Sequence, residues 1–171
     1  MADKNTVMDL LTDEIKDLYS AEKQLTKAIP KMVEGAHEPA LRDALSSHLK
    51  ETQEQVVRLE KVAELIGIKP AGKKCVGMEG CINEGAEVLE EEGEDSVLDL
   101  GLIGAGTRVE HYEMAGYLTA ISLAQRIGET EAVTLLKASL AEEEAAERKL
   151  RAIGAGILKS APMEAPARSK G

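Results

Sequence analysis

Two glutamates one helical turn apart lie in a segment that is otherwise typical of a long apolar helix. Glu110 and Glu113 share a helix face because side chains three positions apart point the same way. Glu22, Glu51 and Glu143 interrupt the apolar stripes of three further helical segments at the same spacing. Four helices that each turn a carboxylate inward are typical of a dinuclear metal site in a four-helix bundle.

The predicted ligand set consists of six carboxylates. Glu147 joins the five already named because it follows Glu143 by four positions and can grip the same ion. Hard cations prefer oxygen ligands, and two cations about 3.5–4 Å apart need bridging carboxylates to offset their repulsion. Glu51 and either Glu110 or Glu143 would bridge. We therefore predict two iron or manganese ions per chain, held by Glu22, Glu51, Glu110, Glu113, Glu143 and Glu147.

The inward orientation of Glu22 follows from the apolar residues around it. Leu18 and Leu25 flank it on the first helix, and Ile29 lies one turn further along. Turning the helix to expose Glu22 would also expose these three side chains, at a cost of about 0.8 kcal/mol per methylene. A carboxylate buried in this way must be protonated or paired with a cation.

Six further residues could ligate a metal or support a ligand. Bundles of this kind usually carry a Glu-x-x-His pair on two helices, but here Glu54 follows Glu51 by three positions and Ala146 follows Glu143. A nitrogen ligand would therefore have to come from His48 or His111. The residues in this second set are His48, Glu54, Gln55, His111, Tyr112 and Tyr117.

The composition excludes several classes of protein. Apolar residues make up 43% of the 171 residues and aromatic residues only 2%, which suits packed helices better than a β-sandwich. The net charge of −10 makes nucleic acid a poor partner. No apolar run approaches the ~20 residues of a membrane span, and the N-terminus lacks a signal peptide. We expect a cytoplasmic protein that contacts no membrane, with Cys75 and Cys81 as free thiols.

Proline, glycine and N-cap residues divide the chain into five helical segments. The predicted helices are Thr6–Gly35, Pro39–Ile66, Val76–Glu92, Asp95–Ile127 and Thr130–Ile153. Pro30 predicts a kink in the first helix, while Asp95-Ser96 and Thr130 predict N-caps for the fourth and fifth. The predicted fold class is all-α. It is a four-helix bundle of two hairpins with a short helix in the crossover, over residues 1–157, followed by a disordered tail over residues 158–171.

Five separated stretches carry a resemblance to a known family. They are residues 17–25 (DLYSAEKQL), 48–52 (HLKET), 75–80 (CVGMEG), 110–113 (EHYE) with Tyr117, and 140–150. They resemble the YciF/YciE-like branch of the ferritin-like superfamily, bacterial stress-associated proteins, over about Asp9 to Gly154. The resemblance implies a ferritin-like bundle, usually a homodimer, with a rubrerythrin-like metal centre. Glu110 and Glu113 match a Glu-x-x-Glu motif of rubrerythrins, while Glu54 stands where these have a histidine ligand.

Two functions are compatible with these features. The first is a dinuclear iron or manganese protein of the ferritin-like class that acts in stress by oxidising ferrous iron or reducing peroxide. The alternative is a non-catalytic structural or interaction module with a vestigial metal site.

A homodimer is also expected, because apolar residues exceed what one bundle core can absorb. A short third helix that folds over the bundle would instead hide them. The residues concerned are Met8, Val33, Val56, Val57, Met78, Ile82, Val88 and Leu89.

Overall fold

The structure is a computed structural model that describes residues 5–164. These residues form five helices: α1 (Val7–Gly35), α2 (Pro39–Leu65), α3 (Val76–Glu90), α4 (Asp95–Ile127) and α5 (Thr130–Ile157). No strand is present in this range, and none of its helices is long and apolar enough to cross a membrane. The predicted tail starts directly after α5. Its residues 165–171 lie outside the described residues, as do residues 1–4 of the predicted domain.

α1 begins with a reciprocal capping pair. The Thr6 hydroxyl accepts a hydrogen bond from the Asp9 backbone N–H (3.1 Å), and the Asp9 carboxylate accepts one from the Thr6 backbone N–H (2.9 Å). The helix then continues through Pro30 to Gly35. Pro30 therefore does not divide α1 into two helices.

The predicted N-caps of α4 and α5 are wrong. Glu94 and Glu129 occupy the N-cap positions, and neither makes a side-chain capping bond. Asp95 is the first helical residue of α4, and its carboxylate lies 3.3 Å from His37 Nε2 instead of capping the helix. α5 also runs one turn beyond its predicted end, because Gly154 is buried within the helix against α4 and does not terminate it.

The long helices pack as two hairpins side by side. α1 packs against α2, α4 packs against α5, and the hairpins meet where α1 contacts α4 and α2 contacts α5. α3 lies in the crossover and packs on α4 and α1. The predicted all-α bundle with a short crossover helix is confirmed.

A layer of buried polar side chains divides the apolar core into two clusters. The first cluster includes Leu25, Ile29, Leu41, Leu45, Leu102, Val109 and Leu150, and the second includes Leu11, Ile15, Leu18, Leu59, Tyr117 and Leu136. Between them along the helices lie Glu22 on α1, His48 on α2, Glu110 and Glu113 on α4, and Glu143 on α5. The polar layer is therefore positioned by apolar packing on both of its sides.

Tyr112 connects α3 to α1. Its hydroxyl donates a hydrogen bond to the Asp17 carboxylate (3.1 Å) and lies 3.0 Å from Cys75 Sγ. Cys75 is the buried N-cap of α3; its thiol donates to Asp17 (2.9 Å) and its backbone N–H donates to Ser20 Oγ (2.9 Å). Cys75 and Cys81 are free, as predicted.

Packing of α3 covers part of the apolar surface that favoured a homodimer. Met78 is buried, and Val88 and Leu89 pack against the first core cluster. Met8 and Val57 remain exposed, by 37% and 62%. The homodimer stays a prediction that rests on fewer apolar residues than the sequence suggested.

Gly77 of α3 lies too close to the Tyr112 ring for a larger side chain. A Cβ atom at Gly77 would lie 2.5 Å from Tyr112 Cε2, whereas a Cβ atom at Gly80 would meet nothing within 4 Å. We predict that Gly77→Ala lowers the free energy of unfolding by about 1–3 kcal/mol, because the hydrogen-bonded ring cannot move aside freely. Gly80→Ala should raise it by about 0.5–1 kcal/mol. Urea denaturation measures both, and equal effects would contradict the close contact.

Candidate metal centre

Four buried side chains from three helices bring their ligand atoms together in the polar layer. His48 of α2, Glu110 and Glu113 of α4, and Glu143 of α5 each offer an atom within 4.8 Å of the others. His48 Nε2 lies 3.4 Å from Glu110 Oε1 and 3.8 Å from Glu143 Oε2. We call these four residues the central cluster. Three carboxylates and one imidazole are a donor set that suits a divalent cation.

Each glutamate of the central cluster continues an apolar stripe that faces the core. The buried stripe of α4 includes Gly106, Glu110, Glu113, Tyr117 and Ala120, and that of α5 includes Leu136, Ser139, Glu143, Glu147 and Leu150. These residues follow one another at steps of three and four, which is the period of one helix face. Burial of the apolar residues on the same helix face therefore also buries these glutamates.

Glu22 of α1 lies beside the central cluster. Its side chain is buried, and the Tyr117 hydroxyl donates a hydrogen bond of 2.5 Å to Glu22 Oε1. The other oxygen of Glu22 has no hydrogen-bond partner. Burial and then the charge of Glu22 raise the pKa of Glu113.

Most buried polar atoms of the centre are unpaired. His48 has no hydrogen-bond partner on either ring nitrogen, and Glu113 has none on either oxygen. One oxygen each of Glu22, Glu110 and Glu143 is also unpaired. Each such group costs roughly 1–3 kcal/mol, and a bound cation would pair with several of them at once. The residues present therefore fit a divalent metal ion.

Burial raises the pKa of the glutamates at the centre. Loss of hydration is the largest cause for Glu22, Glu110 and Glu113, and it holds the pKa of each well above its usual range. The charge of Glu143 is the next cause for Glu22 and Glu110. The pKa of Glu143 itself is raised by burial, against hydrogen bonds that lower it. The centre therefore favours protons or cations over bare carboxylates.

Gln55 and Arg58 of α2 hold the glutamates of α5. Gln55 Nε2 donates hydrogen bonds to Glu143 Oε1 (2.5 Å) and Glu142 Oε2 (3.0 Å). Arg58 donates two to Glu142, of 2.5 and 2.6 Å. Gln55 thus positions Glu143 through its NH2 group, while its own oxygen is buried and unpaired.

Two predicted ligands lie at the margin of the centre. The Glu51 side chain is 41% exposed, and its Oε2 lies 3.5 Å from His48 Nδ1. Glu147 is buried, but it accepts hydrogen bonds from Arg151 and lies 3.8 Å from His111 Nε2. Neither belongs to the central cluster. Direct ligation by Glu51 and Glu147 stays a prediction.

The remaining candidate residues lie in three places: on the surface, at the contact that holds α3 on the bundle, and at the centre. The Glu54 side chain is 76% exposed and lies 3.6 Å from Arg58, and that of His111 is 59% exposed. Tyr112 belongs to the contact that anchors α3. Tyr117, through its bond to Glu22, is the tyrosine that reaches the centre.

Thr52 is a buried polar residue of α2 that the sequence analysis did not identify. It is fully buried, and its hydroxyl has no hydrogen-bond partner. The position of Thr52 one helical turn after His48 could have indicated that it shares the buried face of α2. A threonine hydroxyl inside a helix commonly bonds to its own backbone, so its sequence position alone did not mark it.

Four long helices around a buried cluster of carboxylates and histidine define a ferritin-like helical bundle. The family profile described as "Domain of unknown function (DUF892)" matches residues 6–161, and the chain belongs to this family. Protein YciF of Escherichia coli (strain K12) is 42% identical over 146 residues, which cover 85% of this chain and 88% of that protein. The resemblance to the YciF/YciE-like branch is confirmed.

Solved structures show the same fold. The crystal structure of the E. coli stress protein YciF matches with a TM-score of 0.89 at 38% identity, covering 92% of this chain and 100% of that one. YcfI from Rhodopseudomonas palustris, provisionally described as a structural protein, gives 0.84 at 42% identity, covering 87% and 95%. A protein from Xanthomonas campestris shares the fold, with a TM-score of 0.72 at 20% identity over 91% and 95%.

Without metal, the protein should be more stable near pH 5.5 than near pH 7.5. The raised pKa values of Glu22, Glu110 and Glu113 mean that the folded state retains protons which the unfolded state releases in this window. The free energy of unfolding therefore falls as the pH rises from the ordinary glutamate pKa toward the raised values. Urea denaturation after chelator treatment measures this difference. Equal stability at both pH values would refute it.

A matched pair of variants assigns the pH dependence to the centre. Glu113→Gln removes a titrating group at nearly constant shape and should flatten the dependence. Glu64→Gln should leave the pH dependence unchanged, because the Glu64 side chain is 73% exposed and lies beside Lys61, away from the centre.

Proposed function

We propose that this protein binds iron or manganese at the centre of its bundle and acts as a dinuclear metal protein of the ferritin-like class. The observation that carries the proposal is the set of buried, unpaired ligand atoms on His48, Glu110, Glu113 and Glu143. Apolar packing alone does not favour these side chains, because each unpaired polar group is unfavourable inside a core. A bound cation would supply the missing partners.

The central cluster would hold the metal, with Glu22 beside it. Tyr117 keeps one oxygen of Glu22 fixed and leaves the other for a ligand. Two ions per chain need more oxygen ligands, and the buried Glu147 at the margin is the candidate for the second ion.

Bound iron would supply one-electron redox chemistry, which suits the oxidation of ferrous iron or the reduction of peroxide. The apolar clusters on both sides of the polar layer limit the access of water to the centre from the two ends of the bundle. The Tyr117 hydroxyl holds a proton at Glu22 Oε1. The likeness to the E. coli stress protein YciF supports a role in stress.

The alternative is a non-catalytic structural or interaction module with a vestigial metal site. Glu54, at the position where rubrerythrins have a histidine ligand, faces solvent beside Arg58. The relative YcfI is provisionally described as a structural protein. Redox turnover separates the two functions, since both allow metal to bind.

Metal analysis of protein purified without chelator tests the proposal. We expect at least one transition-metal ion per chain after growth in iron-rich medium. His48→Ala and Glu113→Gln should weaken binding by about tenfold or more, because they remove donor atoms of the centre. Glu64→Gln should bind as the wild type does.

Two results would count against the proposal at different levels. Metal content below one ion per chain would exclude a resident centre. If ferrous ions oxidise no faster with the loaded protein than in buffer, the binding site would remain supported, but the result would favour the non-catalytic module.

We also propose that the protein is a cytoplasmic homodimer that binds neither nucleic acid nor membrane. Exposed Met8 and Val57 support a contact surface, and two-fold dimers are the commonest assembly. Light scattering should give twice the 18.3 kDa mass of the chain. A monomer mass would refute the dimer.

A further inference from the structure

A cavity between α2 and α5 reaches two residues of the central cluster. Its volume is about 80 Å³, and its lining includes His48, Glu110, Glu51 and Lys149. We call it the α2/α5 opening. Lys149 is exposed, so the cavity continues to the surface. At about 10–15 Å³ for each water, it has room for several waters or for a cation that moves inward.

Small side chains keep the α2/α5 opening free. Ala44 lines it on the α2 side, and Ala145 and Ala146 line it on the α5 side. A larger residue at these positions would fill the space between the helices. The cavity is therefore a consequence of sequence, because three alanines meet at the level of the polar layer.

The inner end of the opening presents unpaired ligand atoms. His48 is 6% exposed and Glu110 is 2% exposed. Both nitrogens of His48 and one oxygen of Glu110 lack a hydrogen-bond partner. A cation that reaches this end finds donors from two helices.

Glu51 lies between the surface and these donors. Its side chain is 41% exposed, yet its Oε2 lies 3.5 Å from His48 Nδ1. A carboxylate in this position contacts solvent and the first buried ligand at once. A negative charge at the mouth of a narrow passage also raises the local concentration of cations.

Two sets of contacts lie beside the centre, away from the α2/α5 opening. The hydrogen bonds from Gln55 and Arg58 to Glu142 join α2 and α5 further along the same seam. The Tyr117 hydroxyl donates a hydrogen bond to one oxygen of Glu22. Two larger cavities, of about 480 and 280 Å³, include no residue of the central cluster in their linings.

We propose that cations enter the centre through the α2/α5 opening, and that Glu51 captures them at the mouth and passes them to His48 and Glu110. Lys149, on the opposite wall, opposes this capture through its positive charge. The inference rests on the proposed metal site and adds the path by which that site is filled.

The test compares the rate of Mn²⁺ uptake with the final amount bound. Metal-free protein is mixed with Mn²⁺, and the loss of the free-ion EPR signal is followed after rapid freezing. Glu51→Gln should slow uptake about three- to tenfold, because one capturing charge is lost, and should leave the final amount unchanged. Lys149→Gln should speed uptake about two- to threefold for the opposite reason. Glu64→Gln and Lys137→Gln, exposed on the same two helices, are the matched controls.

A steric variant tests the path independently of charge. Ala146→Leu should fill the α2/α5 opening and slow uptake without lowering the final amount bound. Ala138→Leu, exposed two turns earlier on α5, should have no effect. Circular dichroism and melting verify that each variant is folded.

The outcomes separate this inference from the proposed function. Wild-type uptake rates in Glu51→Gln and Ala146→Leu would overturn the path while leaving the metal site intact. A lower final amount in Glu51→Gln would make Glu51 a resident ligand and also overturn its role as the capturing residue. Absence of Mn²⁺ binding by the wild type would overturn the proposed function, and the path with it.

Discussion

The structure depends on the burial of acidic side chains in the middle of an apolar bundle. A charged carboxylate in such an interior is unfavourable unless it is protonated, hydrogen-bonded or paired with a cation. Tyr117 and Gln55 supply hydrogen bonds, but no lysine or arginine is buried among residues 5–164. The positive charge that the polar layer requires therefore comes from protons or from bound ions. The inward stripes of α1, α4 and α5 serve this one arrangement.

α4 connects the centre with the rest of the fold. Glu110 and Glu113 point toward the centre, while Tyr112 between them contacts Asp17 of α1 and Cys75 at the start of α3. A rotation of α4 about its axis would disturb both sets of contacts. α3 is therefore more than a connection, because its packing on α1 and α4 fixes the rotation at which α4 presents its ligands.

The sequence predicted the helices and the burial of Glu22, Glu110, Glu113 and Glu143, because both follow from apolar residues at steps of three and four. It placed Glu51 in the ligand set and His48 in the second set, whereas the structure puts His48 in the central cluster and Glu51 at the margin, one turn away on the same face of α2. Periodicity gives the face to within part of a turn, whereas the burial of one and the exposure of the other depend on how close α5 approaches.

Contacts between residues distant in sequence lay beyond prediction. The bond from Tyr112 to Asp17 joins residues 95 positions apart, and so does the bond from Tyr117 to Glu22. The cap predicted at Asp95 was also wrong, and the Asp95 carboxylate lies instead beside His37 from the turn between α1 and α2. Such contacts form only because the fold brings together residues that are far apart in the sequence.

The division of the core into two apolar clusters has a consequence for how the bundle opens. Neither cluster contains the buried glutamates, so the two ends of the molecule are joined by the backbones of the four long helices and by the polar layer. Cooperative units of partial unfolding commonly follow such divisions. The bundle is in this sense two short bundles placed end to end, and fluctuations that loosen one end leave the packing of the other in place.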